Sequence, residues 1–129
     1  MKSGKIADTI VDILRFCRKI KTLSLSGMKL AQFSKHFFYA LDWHETLEEL
    51  DLSNCSIAND SFYRLFLALK TNRSIKILNI DKNRSCIHFQ KHALLLKDNH
   101  TLTEIVNPIN DIRELQKDYL DSFIIAWRD

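Results

Sequence analysis

Glycine and proline are scarce in this chain of 129 residues, which contains two glycines and one proline. Gly4 and Gly27 lie in no phosphate-binding pattern, which excludes a glycine-rich loop that cradles nucleotide phosphates. No apolar run approaches the roughly 20 residues that a transmembrane helix needs, so we expect no membrane insertion. At this length the chain fits one domain with a single continuous core.

Cysteine is also rare, and its pattern bears on the compartment. Cys17, Cys55 and Cys86 are odd in number and widely spaced, which favours buried free thiols over a disulfide framework. Asp8 and Asp12 interrupt the apolar residues of the first helix, and no small-residue cleavage site follows, so we expect no signal peptide. These features predict a cytoplasmic protein. A nuclear location, or delivery into a host cytosol as an effector, stays open.

Charge of one sign is not in large excess, since the formal net charge is +3. Residues 1–21 carry six basic and two acidic side chains, whereas residues 109–129 carry three basic and five acidic ones. This asymmetry has two interpretations. One is that the charges lie on solvated helix faces, and the other is that the basic end binds an acidic partner or a phosphate backbone. No recognition-helix motif and no exposed aromatic platform is evident, so we expect nucleic acid as a partner only within a larger assembly.

An internal repeat organises most of the chain. Four segments with the same apolar pattern start at residues 20, 47, 75 and 102, which are 27, 28 and 27 residues apart. Each begins with the alternation of a strand, as in Leu50 and Leu52, and the first three continue with apolar residues at helical spacing. A fixed period in this range indicates a solenoid, in which each unit buries its apolar face against its neighbours.

Two turn positions recur within the units. A corner after the strand is occupied by Met28, Cys55 or Asn83, where a small buried side chain or an amide bonded to the backbone is expected. Asn72 and Asn99 mark a polar turn that leads into the next strand. In the third unit, helical spacing predicts that Phe89, Ala93, Leu94 and Leu96 face the core.

This pattern resembles the leucine-rich repeat family, in the ribonuclease-inhibitor-like and tropomodulin-C-terminal-like subtype, across residues 20–106. The resemblance implies an α/β fold: a curved solenoid of alternating parallel strands and helices. The third unit departs from the family at Ser85, and the fourth loses the pattern at Asn107 and Pro108. The match is carried by Leu47-x-x-Leu50-x-Leu52-x-x-Cys55-x-Ile57, then Leu65, Leu69, Asn72 and Ile75.

The domain organisation predicted from this repeat is a single unit, residues 1–129. Residues 1–19 form an N-terminal capping helix, and residues 20–106 hold three full repeats plus the start of a fourth. Residues 107–129 form a C-terminal capping helix, because the open ends of a solenoid would otherwise expose core. Phe123 and Trp127 belong to a stretch that is apolar on more of its circumference than one packing face needs, so part of it is also a candidate docking surface.

Catalytic and metal sites find little support in the sequence. Cys86, His88 and His92 have a metal-like spacing, but no fourth ligand matches it, so we predict no metal and no cofactor. Cys55 falls at the buried corner, where a thiol is usually inert. We therefore predict a protein that is not an enzyme.

The exposed face of the strands is the strongest candidate site. Its residues form columns across the strands, one of which reads Thr22, Glu49, Ile77 and Glu104. Four acids but no lysine or arginine lie in these columns. The two explanations are solubility of an exposed sheet and use in binding a basic partner. The predicted partner-binding residues are Thr22, Ser24, Glu49, Asp51, Ile77, Asn79, Asp81 and Glu104. The predicted secondary contacts are Lys19, Lys21, Phe123 and Trp127.

The predicted function is therefore non-catalytic protein–protein interaction, with another protein bound through the acidic strand face. The alternative is a permanent structural subunit of a large assembly, such as a ribonucleoprotein or membrane complex. In that case the basic N-terminal helix and the apolar C-terminal helix would make the contacts.

Overall fold

The computed structural model describes residues 2–28, 35–83 and 92–106. Strands and helices alternate along these residues, as the change of apolar period within each unit predicts. The elements are α1 (Lys2–Phe16), β1 (Thr22–Ser24), α2 (Lys35–Trp43), β2 (Glu49–Asp51), α3 (Asn59–Thr71), β3 (Ile77–Asn79), a 3-10 helix (Leu94–Leu96) and β4 (Glu104–Val106). The predicted C-terminal helix, residues 107–129, lies outside the described residues.

The four strands form one parallel sheet in chain order, β1-β2-β3-β4. Leu23 pairs with Leu50, Leu50 with Leu78, and Leu78 with Ile105, so the central residue of every strand belongs to one row. Leu50 and Leu78 are fully buried. The result is a mixed α/β fold in which one structural unit follows the next at the period read from the sequence.

The helices supply the other half of the core. Each packs against its neighbour along the chain: α1 on α2, α2 on α3, and α3 on the 3-10 helix. In α3 four residues at helical spacing are all buried: Phe62, Leu65, Phe66 and Leu69. Ile10, Val11 and Leu14 of α1 join the same cluster, so α1 covers apolar surface beside α2. Its role as a cap stays a prediction.

The third unit differs from the expected helix. Leu94 is 70% exposed, whereas Ala93, Leu95 and Leu96 pack against the core. The prediction that Leu94 faces the core is therefore wrong. The cause is the 3-10 geometry of residues 94–96. Successive side chains are rotated further around the axis of a 3-10 helix than around that of an α-helix, so different residues face the core.

The chain leaves each of the first three strands through a left-handed residue. Gly27, Asn54 and Lys82 occupy the same place in their units, with φ angles of 81°, 53° and 62°. A Cβ built on Gly27 would meet no atom within 4 Å. Backbone conformation, and not lack of space, therefore favours glycine there.

The polar corner after the strands is confirmed. The Asn83 side-chain amide donates to the carbonyls of Leu52 (3.0 Å) and Ile80 (2.8 Å), and its oxygen accepts from the amides of Cys55 (3.0 Å) and Ile57 (3.2 Å). This side chain therefore joins two consecutive units through backbone groups that would otherwise be buried without partners.

A second ladder of polar side chains lies at the other end of the strands, in the turns that lead into them. The Asn99 side chain donates to the carbonyl of Leu69 at 2.6 Å and accepts from the amides of Thr101 and Leu102. Asn72 makes the equivalent bonds one unit earlier. Each asparagine side chain thus supplies hydrogen-bond partners for backbone amides of its own turn and for a backbone carbonyl at the end of the preceding unit's helix.

The described cysteines have opposite environments, which predicts opposite reactivity. Cys17 is exposed, so the prediction of a buried thiol is wrong for this residue. Cys55 is buried as predicted, and burial raises the pKa of its thiol to about 11. At about pH 8 only roughly one in a thousand such thiols is ionised, and the thiolate is the nucleophile. Brief alkylation of the folded protein, followed by peptide mass spectrometry, is expected to label Cys17 and spare Cys55. In denaturant both should react, and labelling of Cys55 at the rate of Cys17 in the folded protein would contradict this packing.

Candidate functional site

The exposed strand face has the columns that the repeat predicts. One column runs Thr22, Glu49, Ile77 and Glu104 across β1 to β4, and the next runs Ser24, Asp51, Asn79 and Val106. Neighbouring strands lie about 4.8 Å apart, so Glu49 and Glu104 are about 10 Å apart with Ile77 between them. Both glutamates are exposed and Ile77 is partly exposed. The sheet therefore presents an aliphatic side chain flanked by two carboxylates.

Two of the four acids on this face bond to their own turns. One Asp51 carboxylate oxygen accepts from the amide of Ser53 at 2.9 Å, and the other accepts from the hydroxyl of Ser24 at 3.3 Å. An Asp81 carboxylate oxygen accepts from the amide of Lys82 at 2.9 Å. These bonds give Asp51 and Asp81 a local structural role, since short acceptor side chains stabilise turns. The other two acids, Glu49 and Glu104, are exposed in the same column of the sheet.

A row of alternating charge borders the strand face. Glu48 accepts from the Lys21 ammonium at 3.1 Å and from the Lys76 ammonium at 3.2 Å. The two lysines, Lys21 first, hold the pKa of the Glu48 carboxyl below its ordinary value of 4.5. The acidic columns of the strand face are therefore bordered by residues of both charge signs. Lys21, predicted as part of a basic N-terminal contact, takes part in this row beside the strands.

The remaining predicted secondary contacts are only partly described. Lys19 is exposed in the turn between α1 and β1. Phe123 and Trp127 lie outside the described residues, so their predicted contact role is unchanged.

The described residues hold no group of three or more histidines, cysteines or acids that could bind a metal ion. His92 packs against the rings of Phe62 and Phe66, with centroids 6.2 Å and 6.0 Å apart. Cys86 and His88 lie outside the described residues. Over the same part of the chain, none of the helices has the length and apolar character that crossing a bilayer requires.

A second surface was missed by the sequence analysis. Phe16, Tyr39 and Trp43 are exposed by 75%, 58% and 76%, and they line one groove beside α1 and α2. The prediction that the chain has no exposed aromatic platform is therefore wrong. The available signal was the spacing of Tyr39 and Trp43, four residues apart and offset from the core residues Phe37 and Leu41.

Comparison with known proteins supports the fold. A solved structure of leiomodin-1 actin-binding site 2 (ABS2) superposes with a TM-score of 0.60 at 19% sequence identity. The match covers 78% of this chain and 60% of that structure, so the chain spans about three fifths of its length. No protein-family model and no curated protein sequence matches the chain. Together with the repeated strand–helix order, the superposition supports a leucine-rich-repeat-like fold.

Proposed function

We propose that this protein is a non-catalytic interaction module that binds a basic surface or segment of another protein through its strand face. The observation that carries the proposal is the position of Ile77 between Glu49 and Glu104 in one column of the sheet. An aliphatic anchor gains binding energy when a partner buries it, and flanking carboxylates select lysine or arginine beside the anchor. We further propose that the repeats form a short solenoid of the ribonuclease-inhibitor-like and tropomodulin-C-terminal-like subtype, with α1 and residues 107–129 as caps.

The strand face is pre-organised for binding. Backbone bonds between adjacent strands fix the register, and the buried row that includes Leu50 and Leu78 anchors the opposite side of the sheet. A face held in this way loses little conformational freedom when a partner binds, which leaves more of the contact energy as affinity. A face of four short strands fits an interface on the order of 800 Å² per partner.

The leiomodin-1 fragment supports binding as the class of function, because its name describes an actin-binding site on the same kind of fold. Actin is therefore the first defined protein to test for binding to this chain. At 19% identity the likeness concerns the fold, so the choice of partner rests on the strand-face chemistry.

Charge reversal at the two exposed glutamates tests the proposal. The tagged wild-type protein and Glu49→Lys/Glu104→Lys are used to capture proteins from cells at low and high salt, with purified actin as a separate sample. Asp12→Lys/Asp98→Lys is the matched control, because both aspartates are exposed, lie outside the strands and give the same change in net charge. A partner of the strand face is expected to be retained by wild type and control at low salt. It should be lost from the glutamate variant, and from all three proteins at high salt.

Capture of the same proteins by the wild type and both variants, at both salt concentrations, would overturn the strand-face proposal. Circular dichroism of each variant separates a binding defect from unfolding. All four substituted residues are exposed, so the helical and strand signal is expected to be unchanged.

A further inference from the structure

The groove beside α1 and α2 combines an apolar base with exposed aromatic walls. It has a volume of about 920 Å³, and the nearly buried side chains of Val11 and Leu14 line it. Phe16 is the last residue of α1, and Trp43 is the last residue of α2. Exposed aromatic side chains around a concave apolar surface are typical of a docking site.

The charge around the groove is mainly positive. Arg15 and Arg18 line it, and both are exposed, whereas Glu45 is the acid among its lining residues. The Arg15 guanidinium lies over the Phe16 ring, 5.9 Å from its centroid. A guanidinium in this position keeps N–H donors at its edge, which can bind a carboxylate while its plane contacts the ring. Lys19 is exposed one residue after Arg18.

The groove is held in place by hydrogen bonds at its edge. The His44 side chain bonds to the carbonyl of Cys17 at 3.3 Å and accepts from the amide of Leu47 at 3.0 Å. The Thr46 hydroxyl donates to the carbonyls of Arg18 and Ile20 at 2.8 Å and 2.9 Å. These bonds tie the segment after α2 to the segment after α1, so the two sides of the groove are fixed relative to each other.

We propose that this groove docks an acidic amphipathic segment of another protein. Apolar side chains of the segment would pack on Phe16, Tyr39 and Trp43, and its carboxylates would bind Arg15 and Arg18. The balance of contacts favours a peptide over nucleic acid, because the lining is largely apolar and two arginines neutralise few phosphates. The surface shares no residue with the strand face, so either proposal can fail while the other stands.

Fluorescence anisotropy with three labelled probes tests this assignment. The first is a helical peptide of about 16 residues with leucine and phenylalanine on one face and glutamate on the other. The second carries lysine in place of glutamate, and the third carries serine in place of the apolar residues. The 129-residue protein is expected to bind the first probe at least about tenfold more tightly than the other two.

Protein variants then locate the site. Trp43→Ala and Arg15→Glu/Arg18→Glu are each expected to weaken binding of the acidic amphipathic probe at least about tenfold. Tyr63→Ala is the control, since Tyr63 is an exposed aromatic residue on α3 outside the groove, and it should bind like wild type. Circular dichroism checks that each variant is folded.

Several results would overturn the proposal. Equal binding of the acidic and basic probes, or binding unchanged by Trp43→Ala, would show that the contact is not the one described. Absence of probe binding together with self-association that Trp43→Ala abolishes would assign the groove to a second copy of this chain. Tighter binding of a 16-nucleotide oligothymidine, lost in the arginine variant, would assign it to nucleic acid.

Discussion

Replacement of Asn72 by alanine is expected to lower the free energy of unfolding by about 3 kcal/mol, because it removes the partners of several buried backbone groups. The Asn72 amide donates to the carbonyls of Leu41 (2.7 Å) and His44 (3.3 Å). Its oxygen accepts from the amides of Ser74 and Ile75, both at 2.8 Å. Asn72 is 1% exposed, so water cannot replace these bonds in the folded state without a rearrangement of the turn.

Urea unfolding followed by circular dichroism measures the loss. The matched control is Asn79→Ala, the same chemical change at a partly exposed strand residue whose side chain accepts from the amide of Asp81 at 3.1 Å. It should cost no more than about 1 kcal/mol. Equal losses for the two variants would contradict the role assigned to Asn72.

Replacement of His44 by alanine is expected to cost about 2 kcal/mol, for a related reason. His44 lies 28 residues before Asn72, at the same place in the preceding unit, and it is nearly buried. One ring nitrogen accepts from the amides of Thr46 (3.4 Å) and Leu47 (3.0 Å), while the other bonds to the carbonyl of Cys17 (3.3 Å). The imidazole thus makes the bonds to its turn that an asparagine side chain makes in the next two units.

The equivalence of these positions gives a sharper test. His44→Asn supplies an acceptor for the turn amides and a donor for the preceding unit, so it is expected to lose less than half of the stability that His44→Ala loses. The two variants are compared by urea unfolding under the same conditions. Equal destabilisation by alanine and asparagine would show that His44 acts through the size of its ring and not through these bonds.

The repeat made most of the fold predictable. Because the side-chain period of a strand is two, a fixed spacing between units also fixes which residues share a row. This is why Glu49, Ile77 and Glu104 could be placed in one column before the structure was known. The corner positions of Cys55 and Asn83 were predictable for the same reason, since the corner recurs at the repeat spacing, although the first unit has Met28 there.

The exposed side chains on the helices were harder to predict than the strand columns, because their exposure depends on how the helices pack. The exposure of Trp43 depends on how α2 sits between α1 and α3, and the signal in the sequence was indirect, namely its offset from the core residues of α2. The pairing of Glu48 with Lys21 and Lys76 joins three units at the spacing of the repeat, so this row could be read from the sequence, although the sequence analysis did not use it. His44 was missed because an imidazole does not resemble an asparagine, although its spacing from Asn72 was visible.

Titration of a captured partner against purified variants, by calorimetry at low salt, tests the strand-face account most directly. Glu49→Lys/Glu104→Lys should raise the Kd at least about tenfold. Ile77→Thr, which keeps a β-branched residue in β3, should raise the Kd roughly several-fold. Asp12→Lys/Asp98→Lys should leave the Kd within about twofold of wild type, since exposed charges far from an interface couple weakly to it. An unchanged Kd for both strand-face variants would contradict binding through the column that holds Ile77.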